Sequence, residues 1–326
     1  MRYDSKYFAV NGPDNLFTLS RTPNATKFLA VGYVAISGAL LFSRLSEYNK
    51  SDDPELKFSS IVSPIVQLIP SKIWKFPFSL LLSNFVDVEV WKFIVNFANL
   101  VIGGSFIERN WNGDSKELLR FVLVLGSLTN LVLVITTILL ELITSHVRLD
   151  EPLDGNYTAF IGFPIIYKQL MPETTIFRLK NMGFLSKNFR FKLLPIFIMS
   201  YLTIFHLFKM HWIQLLLIWI NFFACWTYLR FFQVLRNGEQ TTMGDASDTF
   251  QLLYFFPDLA KPILKPIFDK AYHLVCTKLQ LIRPFDNDDI DKSNAIAEQR
   301  GAKKVTGTVE ERRKQLALQV LQERMA

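Results

Sequence analysis

Long apolar stretches, separated by short polar connections, run through most of the sequence. The two clearest, 121–140 and 212–229, extend over 20 and 18 residues without a charged side chain. An α-helix needs about 20 residues to cross the roughly 30 Å hydrocarbon core of a bilayer. The pattern therefore predicts an all-α, polytopic membrane protein. Its six predicted spans lie at about 28–45, 90–107, 118–140, 155–171, 193–208 and 212–229.

Two parts of this pattern depart from simple spans. The fourth span is the weakest, because only about 13 residues separate Gly155 from Lys168. The long connection at 46–89 holds two short apolar pieces, 61–70 and 74–86, and both contain proline. Segments this short do not cross a bilayer. We expect them to lie at the interface, or to enter and leave the membrane on one side.

Charge in the connections predicts the orientation of the spans, because excess Lys and Arg stay on the cytosolic side. The connection after the second span contributes Arg109, Lys116 and Arg120. The connection after the fourth span has Glu173 opposed by Arg178, Lys180, Lys187, Arg190 and Lys192. The connection after the third span is acidic, with Arg148 opposed by Glu141, Asp150, Glu151 and Asp154. Both termini are therefore predicted to be cytosolic, and the acidic connection lumenal.

The chain divides into three predicted parts, a cytosolic N-terminal segment at 1–26, the membrane domain at 27–235 and a cytosolic tail at 236–326. In the tail, apolar residues flanked by lysines recur at helical spacing, which predicts an amphipathic helix at about 261–282. That helix either lies on the cytosolic leaflet or packs against the bundle. Residues 286–292 are predicted to be a flexible linker. A capping box at Thr308 predicts a terminal helix at about 308–325.

Composition narrows the classes of function. Basic cytosolic connections account for the net charge of +7, so nucleic acid is not an expected partner. The two cysteines, Cys225 and Cys276, make no disulfide framework and have no metal-ligand spacing. No cofactor and no metal site are therefore predicted.

Glycine and polar motifs in two predicted spans resemble landmarks of the rhomboid fold. In the second span, Asn96 is followed by Gly103 and Gly104 and then by Glu108. The fourth span opens with GNYTAFIG, residues 155–162, which is similar to the rhomboid pattern G-x-S-G-A-x-x-G. Its first and last residues are Gly155 and Gly162. Small residues let helices approach closely, and an acid at a helix end can tie neighbouring loops together.

Further motifs run from about residue 73 to the C-terminus. They are 77–86 (PFSLLLSNFV), Glu108 with Trp111 and Gly113, 117–121, 168–172, Trp226 through Arg230 to Phe231, 244–257 and 311–318. In this order they resemble the transmembrane protein 115 family, a branch of rhomboid-like Golgi membrane proteins. Asn112 follows Trp111 where that family has glycine directly, and the first 70 residues offer little to match. The resemblance implies a six-helix rhomboid-like bundle.

The resemblance also identifies the positions at which a rhomboid protease carries its catalytic residues. The serine position holds Tyr157, whose phenol is a poor nucleophile. Ile218 lies near the position of the histidine base, and the sixth span contains no histidine. Lys92 occupies the position at which many rhomboids have a histidine that assists the oxyanion. The chain is therefore expected to be a pseudoprotease without enzymatic activity.

Two alternatives from other classes remain open. One is an active intramembrane protease that uses Thr158 with His211, which must then reach about two helical turns into the bundle. The other is a lipid or solute transporter, although the spans hold few charged residues and show no inverted repeat. A metal shared by His146, His206 and His211 has no recognised ligand spacing.

The residues and the resemblance together imply an adaptor. Asn96, Ser127, Thr129 and Asn130 are expected either to bind transmembrane client segments in a groove or to hold the bundle helices together. The resemblance implies residence in Golgi membranes, with ER membranes as the alternative, and a part in Golgi-to-ER retrograde transport. The implied partners are membrane lipids, transmembrane clients and cytosolic trafficking proteins that contact the tail. Homo-oligomerisation is left open.

Overall fold

The structure, a computed structural model, describes most of the chain. The described residues are 2–4, 8–11, 22–50, 58, 61–87, 90–111, 114–145, 147–174, 177–179, 190–237, 240–257 and 260–302. Several features named from the sequence lie outside them, namely the terminal helix at 308–325, Asn112, Gly113, His146, Lys180 and Lys187.

Helices form most of the described structure. The α-helices are α1 Asn24–Lys50, α2 Ser79–Leu82, α3 Val90–Ala98, α4 Gly104–Asn110, α5 Ser115–Leu119, α6 Gly126–Thr144, α7 Tyr157–Leu170, α8 Leu194–Phe208, α9 Trp212–Thr227, α10 Lys261–Tyr272 and α11 Asn287–Gln299. Stretches of π-helical backbone join α3 to α4 and α5 to α6 and extend α9 and α10, at Asn99–Gly103, Arg120–Leu125, Tyr228–Phe232 and His273–Lys278. The all-α prediction did not include five short strands, β1 Arg2–Asp4, β2 Phe8–Asn11, β3 Phe177–Leu179, β4 Val234–Asn237 and β5 Gln240–Met243.

Four helical stretches among the described residues are long and apolar enough to cross a membrane. They are Asn24–Lys50, Ser115–Thr144, Phe191–Phe208 and Trp212–Phe232. Only 22% to 44% of their most apolar windows is buried, so most of that surface faces outward and suits lipid. The other two predicted spans are also helical, from α3 through α4 and in α7, but they are not among these four. The structure therefore supports an all-α membrane architecture and does not by itself establish six spans.

Helix α7 lies at the centre of the bundle. Every residue of α7 except Ala159 and Phe160 is buried. On one side the fully buried Phe163 packs against Phe121, with ring centroids 6.4 Å apart. On another side Sγ of Cys225, on α9, lies 3.9 Å from the carbonyl oxygen of Thr158. The middle of α7, residues 159–166, is apolar on every side, which suits a helix that other helices cover all round.

Backbone pairings group the connections on two faces. Strands β1, β2 and β3 form an antiparallel sheet, which places the N-terminal segment beside the connection after α7. Elsewhere the long connection after α1 meets the connection after α6, where Leu153 donates from its backbone N–H to Leu68, 2.8 Å away. Ser71 donates in the same way to the carbonyl of Leu149, 3.1 Å away. This grouping matches the arrangement that the charge pattern predicts.

The tail differs from the prediction in two respects. Residues 286–292 are not a linker, because α11 begins at Asn287. Hydrogen bonds that a hydropathy pattern does not reveal hold this helix: Asn294 and Asp248 form two, of 2.9 Å each. The amphipathic helix predicted at 261–282 extends over α10 and its π-helical continuation, from Lys261 to Lys278.

Candidate functional site

Tyr157, at the serine position, begins α7 and lies inside the bundle, 7% exposed. Its hydroxyl lies 3.3 Å from Oδ2 of Asp154 and 3.3 Å from Oε1 of Gln214 on α9. Both neighbours are acceptors, so the phenol is a hydrogen-bond donor here. Nearby, Gly155 packs against Ser83, where a larger residue has no room. The ring of Tyr157 therefore occupies a buried position in which its hydroxyl is hydrogen-bonded.

Thr158, the alternative nucleophile, is 1% exposed and has its own partner. Its hydroxyl donates to Oδ1 of Asn221, 3.1 Å away, and Asn221 donates in turn to the carbonyl of Leu217 at 3.0 Å. His211 lies in front of α9 and is exposed. Ten residues separate it from Asn221, which is about 15 Å along a helix. The structure therefore does not assemble a dyad of Thr158 and His211.

Ile218, at the base position, is fully buried on α9. An aliphatic side chain accepts no proton, and its neighbour Leu217 is also fully buried. This part of α9 therefore packs inside the bundle.

Lys92, at the oxyanion position, forms an ion pair. Its ammonium lies 3.2 Å from Oδ2 of Asp154, the carboxylate oxygen that also faces the hydroxyl of Tyr157. Both partners are partly exposed, about a quarter to a third of each side chain. Lys92 and Tyr157, which lie at two of the three positions where a rhomboid protease carries catalytic residues, therefore both contact Asp154. Ile218, at the third position, is not part of this group.

Asp87 is the centre of a second polar group, which we call the Asp87 cluster. Its carboxylate accepts hydrogen bonds from the amide of Asn96, at 3.0 and 3.1 Å, from the amide of Asn156 and from the hydroxyl of Tyr33. Burial raises the pKa of Asp87 to about 6. The hydrogen bonds and Lys92 oppose this shift, while nearby Asp154 adds to it. The cluster ties α1 and α3 to the start of α7.

The small cavity beside this cluster is lined by asparagine and apolar side chains. Its lining residues are Tyr33, Asn84, Phe85, Asn96, Leu100, Val122, Asn156 and Ala159.

Asn130 donates to the carbonyl of Leu80 and to Oγ of Ser83, both at 3.0 Å. These bonds hold the α2 region against the middle of the helical stretch that contains α6.

The motif glycines mark places where helices touch. A Cβ on Gly162 lies 2.5 Å from Cζ of Phe121 and 3.1 Å from Sγ of Cys225. Gly103 meets the hydroxyl of Tyr167 even more closely, and Gly104 packs against Thr26 of α1. Any side chain at Gly162 or Gly103 has to displace a neighbour, so these positions fix the spacing of the helices around α7.

Glu108, on α4, ties the start of α1 and the start of α5 to its own helix. It is fully buried, and its carboxylate accepts from the backbone N–H groups of Ala25 and Thr26, at 3.1 and 2.9 Å. The hydroxyls of Thr26 and Ser115 also donate to it, at 2.9 and 2.5 Å. A carboxylate at the start of α1 satisfies free N–H groups and complements the helix dipole. Glu108 therefore joins the start of α1 to the neighbouring helix ends through four hydrogen bonds.

The motif residues Trp111, Trp226 and Arg230 are structural in different ways. Trp111 is 3% exposed, and its ring packs edge-on against Phe121. Trp226 donates from Nε1 to the carbonyl of Phe250, 3.1 Å away. Arg230 donates to two carbonyls of the tail, those of Asp245 at 2.5 Å and Ser247 at 2.6 Å. The last two residues therefore hold the tail against α9.

Lys168 and Gln169 at the end of α7 hold the same tail segment, and sequence reasoning missed their role. Nζ of Lys168 donates to the carbonyl of Tyr254 at 2.8 Å and lies 3.2 Å from the ring centre of Phe255. Gln169 donates to Oδ2 of Asp245 at 3.0 Å. Both residues belong to a motif noted above, yet a motif alone does not name a partner. Asp87 was missed because a single acid in a connection carries no spacing signal.

Comparison with known proteins identifies the family. A family model described as "Eukaryotic integral membrane protein (DUF1751)" matches residues 27–326. A protein of Saccharomyces cerevisiae named "Transmembrane protein 115 homolog" is 54% identical over 345 aligned residues, which cover 100% of this chain and 99% of that protein. The chain belongs to the transmembrane protein 115 family.

More distant relatives extend the comparison. "Rhomboid-like protein 19" of Arabidopsis thaliana is 28% identical over 83% of both chains. "Transmembrane protein 115" of Mus musculus is 24% identical over 79% of this chain and 70% of that protein. No solved structure matches this chain. The family match establishes an integral membrane protein with a rhomboid-like relative.

Proposed function

We propose that this member of the transmembrane protein 115 family is a non-catalytic, six-span scaffold of Golgi membranes. It acts as an adaptor in Golgi-to-ER retrograde transport. The proposal that the protein is not catalytic rests on the residues at the two catalytic positions. The serine position holds Tyr157, a buried tyrosine that donates to Asp154 and Gln214, and the base position holds Ile218, a fully buried isoleucine. The hydroxyl of Thr158, the next residue along the chain, donates to Asn221.

The lengths of the two shorter helical stretches are compatible with six spans. The stretch from Val90 to Asn110 is about 31 Å long, which is enough to cross. Helix α7 is only about 21 Å long, yet it is surrounded by other helices and does not need to meet the full thickness of the lipid. Six crossings keep the N-terminal segment and the tail on one side, in agreement with the pairings of the connections.

The adaptor role is supported by the way the tail joins the bundle. Lys168, Trp226 and Arg230, at the cytosolic ends of α7 and α9, all donate to carbonyl groups of the tail. A transmembrane client that shifts α7 or α9 therefore also shifts a cytosolic surface. The family resemblance supplies the rest of the proposal: Golgi residence, with the ER as the alternative, and trafficking proteins as partners of the tail.

Cross-linked co-purification from intact membranes tests the adaptor role. The full chain is compared with a chain stopped after Ala302, which keeps the tail contacts described above. We expect vesicle coat or tethering proteins to be recovered with the full chain and lost with the shortened one. Recovery of the same membrane proteins by both, with no trafficking component, would contradict retrograde transport and leave the bundle as the recognition element.

The transporter alternative is tested separately, with the purified chain in liposomes that contain a fluorescent lipid or an entrapped solute. We expect the same leak rate as in empty liposomes. Flux that rises with the amount of protein would replace the scaffold proposal by transport.

A further inference from the structure

The segment Lys261–Lys278, which we call the tail helix, has one side that packs and one that does not. It consists of α10 and its π-helical continuation. On the packed side, Phe268 lies against Phe256 with ring centroids 5.8 Å apart, and Cys276 is 4% exposed. No residue of α10 itself is buried. The tail helix therefore touches the rest of the protein along one edge only.

Both ends of the tail helix are held at the cytosolic ends of membrane helices. At its start, the ammonium of Lys261 lies 4.6 Å from the ring centre of Tyr254, whose carbonyl is bound by Lys168 at the end of α7. Beyond its end, Phe285 stacks on Phe231 and covers the guanidinium of Arg230, after α9, at 5.0 Å. A helix that is attached to the ends of two spans, on the same side of the membrane, lies along the membrane surface.

The unpacked side of the tail helix is apolar. Ile263, Ile267 and Leu274 are 70%, 55% and 48% exposed, and their spacing of four and seven residues places them on one face. Leu279 and Leu281, just beyond, are 55% and 71% exposed. Contiguous exposed apolar side chains of this kind mark an interaction surface.

The charges of the tail helix suit an acidic surface. Between Lys261 and Lys278 there are four lysines and a single acid, Asp269. Lys270 and Lys278 lie beside the apolar face, where long side chains can keep their ammonium groups at the level of lipid headgroups. A basic, amphipathic helix at the membrane surface gains from both apolar insertion and attraction to anionic lipid.

We propose that the Ile263–Ile267–Leu274 face binds the acidic cytosolic leaflet of the membrane that holds the bundle. This inference rests on the orientation in the proposed function and not on the trafficking role. The attachment of the tail helix at the ends of α7 and α9 and its excess of lysine favour lipid over a soluble partner. The tail helix is then a lateral extension of the membrane domain, and its depth responds to the amount of anionic lipid.

The test uses the full chain in vesicles of phosphatidylcholine, with or without phosphatidylserine. Cys225 and Cys276 are replaced by alanine, and an environment-sensitive fluorophore is attached to a new cysteine in Ile267→Cys. Asp269→Cys, on the opposite side of the helix and also exposed, is the matched control. Iodide in the buffer and nitroxide-labelled lipid report access from water and from the membrane.

We expect the label at position 267 to lose iodide quenching, to gain quenching by nitroxide lipid and to shift its emission to the blue. The label at 269 stays accessible to iodide. Phosphatidylserine increases the difference, and Lys270→Glu with Lys278→Glu removes that increase. A water-accessible label at 267, or shielding that phosphatidylserine does not change, overturns the proposal. Shielding that follows the protein-to-lipid ratio instead assigns the face to a second copy. Trafficking proteins are absent from these vesicles, so failure here is distinct from failure of the adaptor role.

Discussion

Individual buried acids hold this membrane protein together, and Glu108 is the clearest case. Four donors converge on a carboxylate that water does not reach. Such a group stabilises the fold only while all its partners are present, because an unpaired buried donor is costly. The residue scale is therefore where single substitutions have large effects.

The substitution Glu108→Ala is expected to lower the stability of the purified protein by about 2–3 kcal/mol, because it leaves the backbone N–H groups of Ala25 and Thr26 without partners. The measurement is the melting temperature in detergent. Glu151→Ala is the control, since its ion pair with Arg148 is exposed and contributes little. Equal melting temperatures for the two variants would contradict the capping role.

Asp87 is expected to bind a proton as the pH falls through about 6, the pKa to which burial raises it from 3.8. Between these values the folded state binds more protons than the unfolded state. The contribution of Asp87 to stability is therefore present at low pH and is lost as the pH rises through about 6. Infrared difference spectra on acidification should show a protonated carboxyl band that Asp87→Asn removes and Asp150→Asn, at an exposed position, retains. A band that survives in Asp87→Asn would contradict this assignment.

At the scale of elements, the apolar pattern predicted where helices lie better than where they end. The first span was predicted at 28–45, and α1 extends over Asn24–Lys50, because polar ends beyond the membrane core carry no hydropathy signal. The start of α1 depends on Glu108, which is 84 residues away from Asn24 in sequence. Tertiary contacts of this kind cannot be obtained from a local window.

Close contact between elements depends on glycine at particular points. Gly162→Ala is expected to destabilise the bundle by about 1–3 kcal/mol, because the new methyl group collides with Phe121. Gly38→Ala on α1, where a Cβ meets nothing within 4 Å, is expected to be neutral or stabilising by up to about 1 kcal/mol. Melting temperatures of both variants test this contrast. A neutral Gly162→Ala would mean that α7 is packed less tightly than the structure indicates.

At the scale of the whole molecule, the part of the tail around Phe250 and Phe255 packs against the bundle. The sequence predicted a boundary near 235, because the composition changes there from apolar to charged. In the structure Phe250 and Phe255 are each 2% exposed, and Phe255 packs against Phe222 of α9 with ring centroids 5.7 Å apart. Composition marks the end of the last span, but it does not show that the chain folds back.

Phe255→Ala tests whether the tail stabilises the bundle. We expect a loss of about 3 kcal/mol or more, because a fully buried ring leaves a cavity beside Phe222. Phe208→Ala, at a position 85% exposed, should change stability by less than about 0.5 kcal/mol. Limited proteolysis after position 245 should also accelerate in the first variant alone. Unchanged protection and melting temperature would show that the tail is only loosely attached.

The measurement that tests the central claim most directly is a cleavage assay with the purified full chain in vesicles. Transmembrane peptides that rhomboid proteases cut are supplied as substrates. The buried Tyr157 and Ile218, and the bond between Thr158 and Asn221, predict no product above the level of empty vesicles. A product that Thr158→Ala abolishes and Tyr157→Ala does not would contradict the scaffold account and identify an active protease.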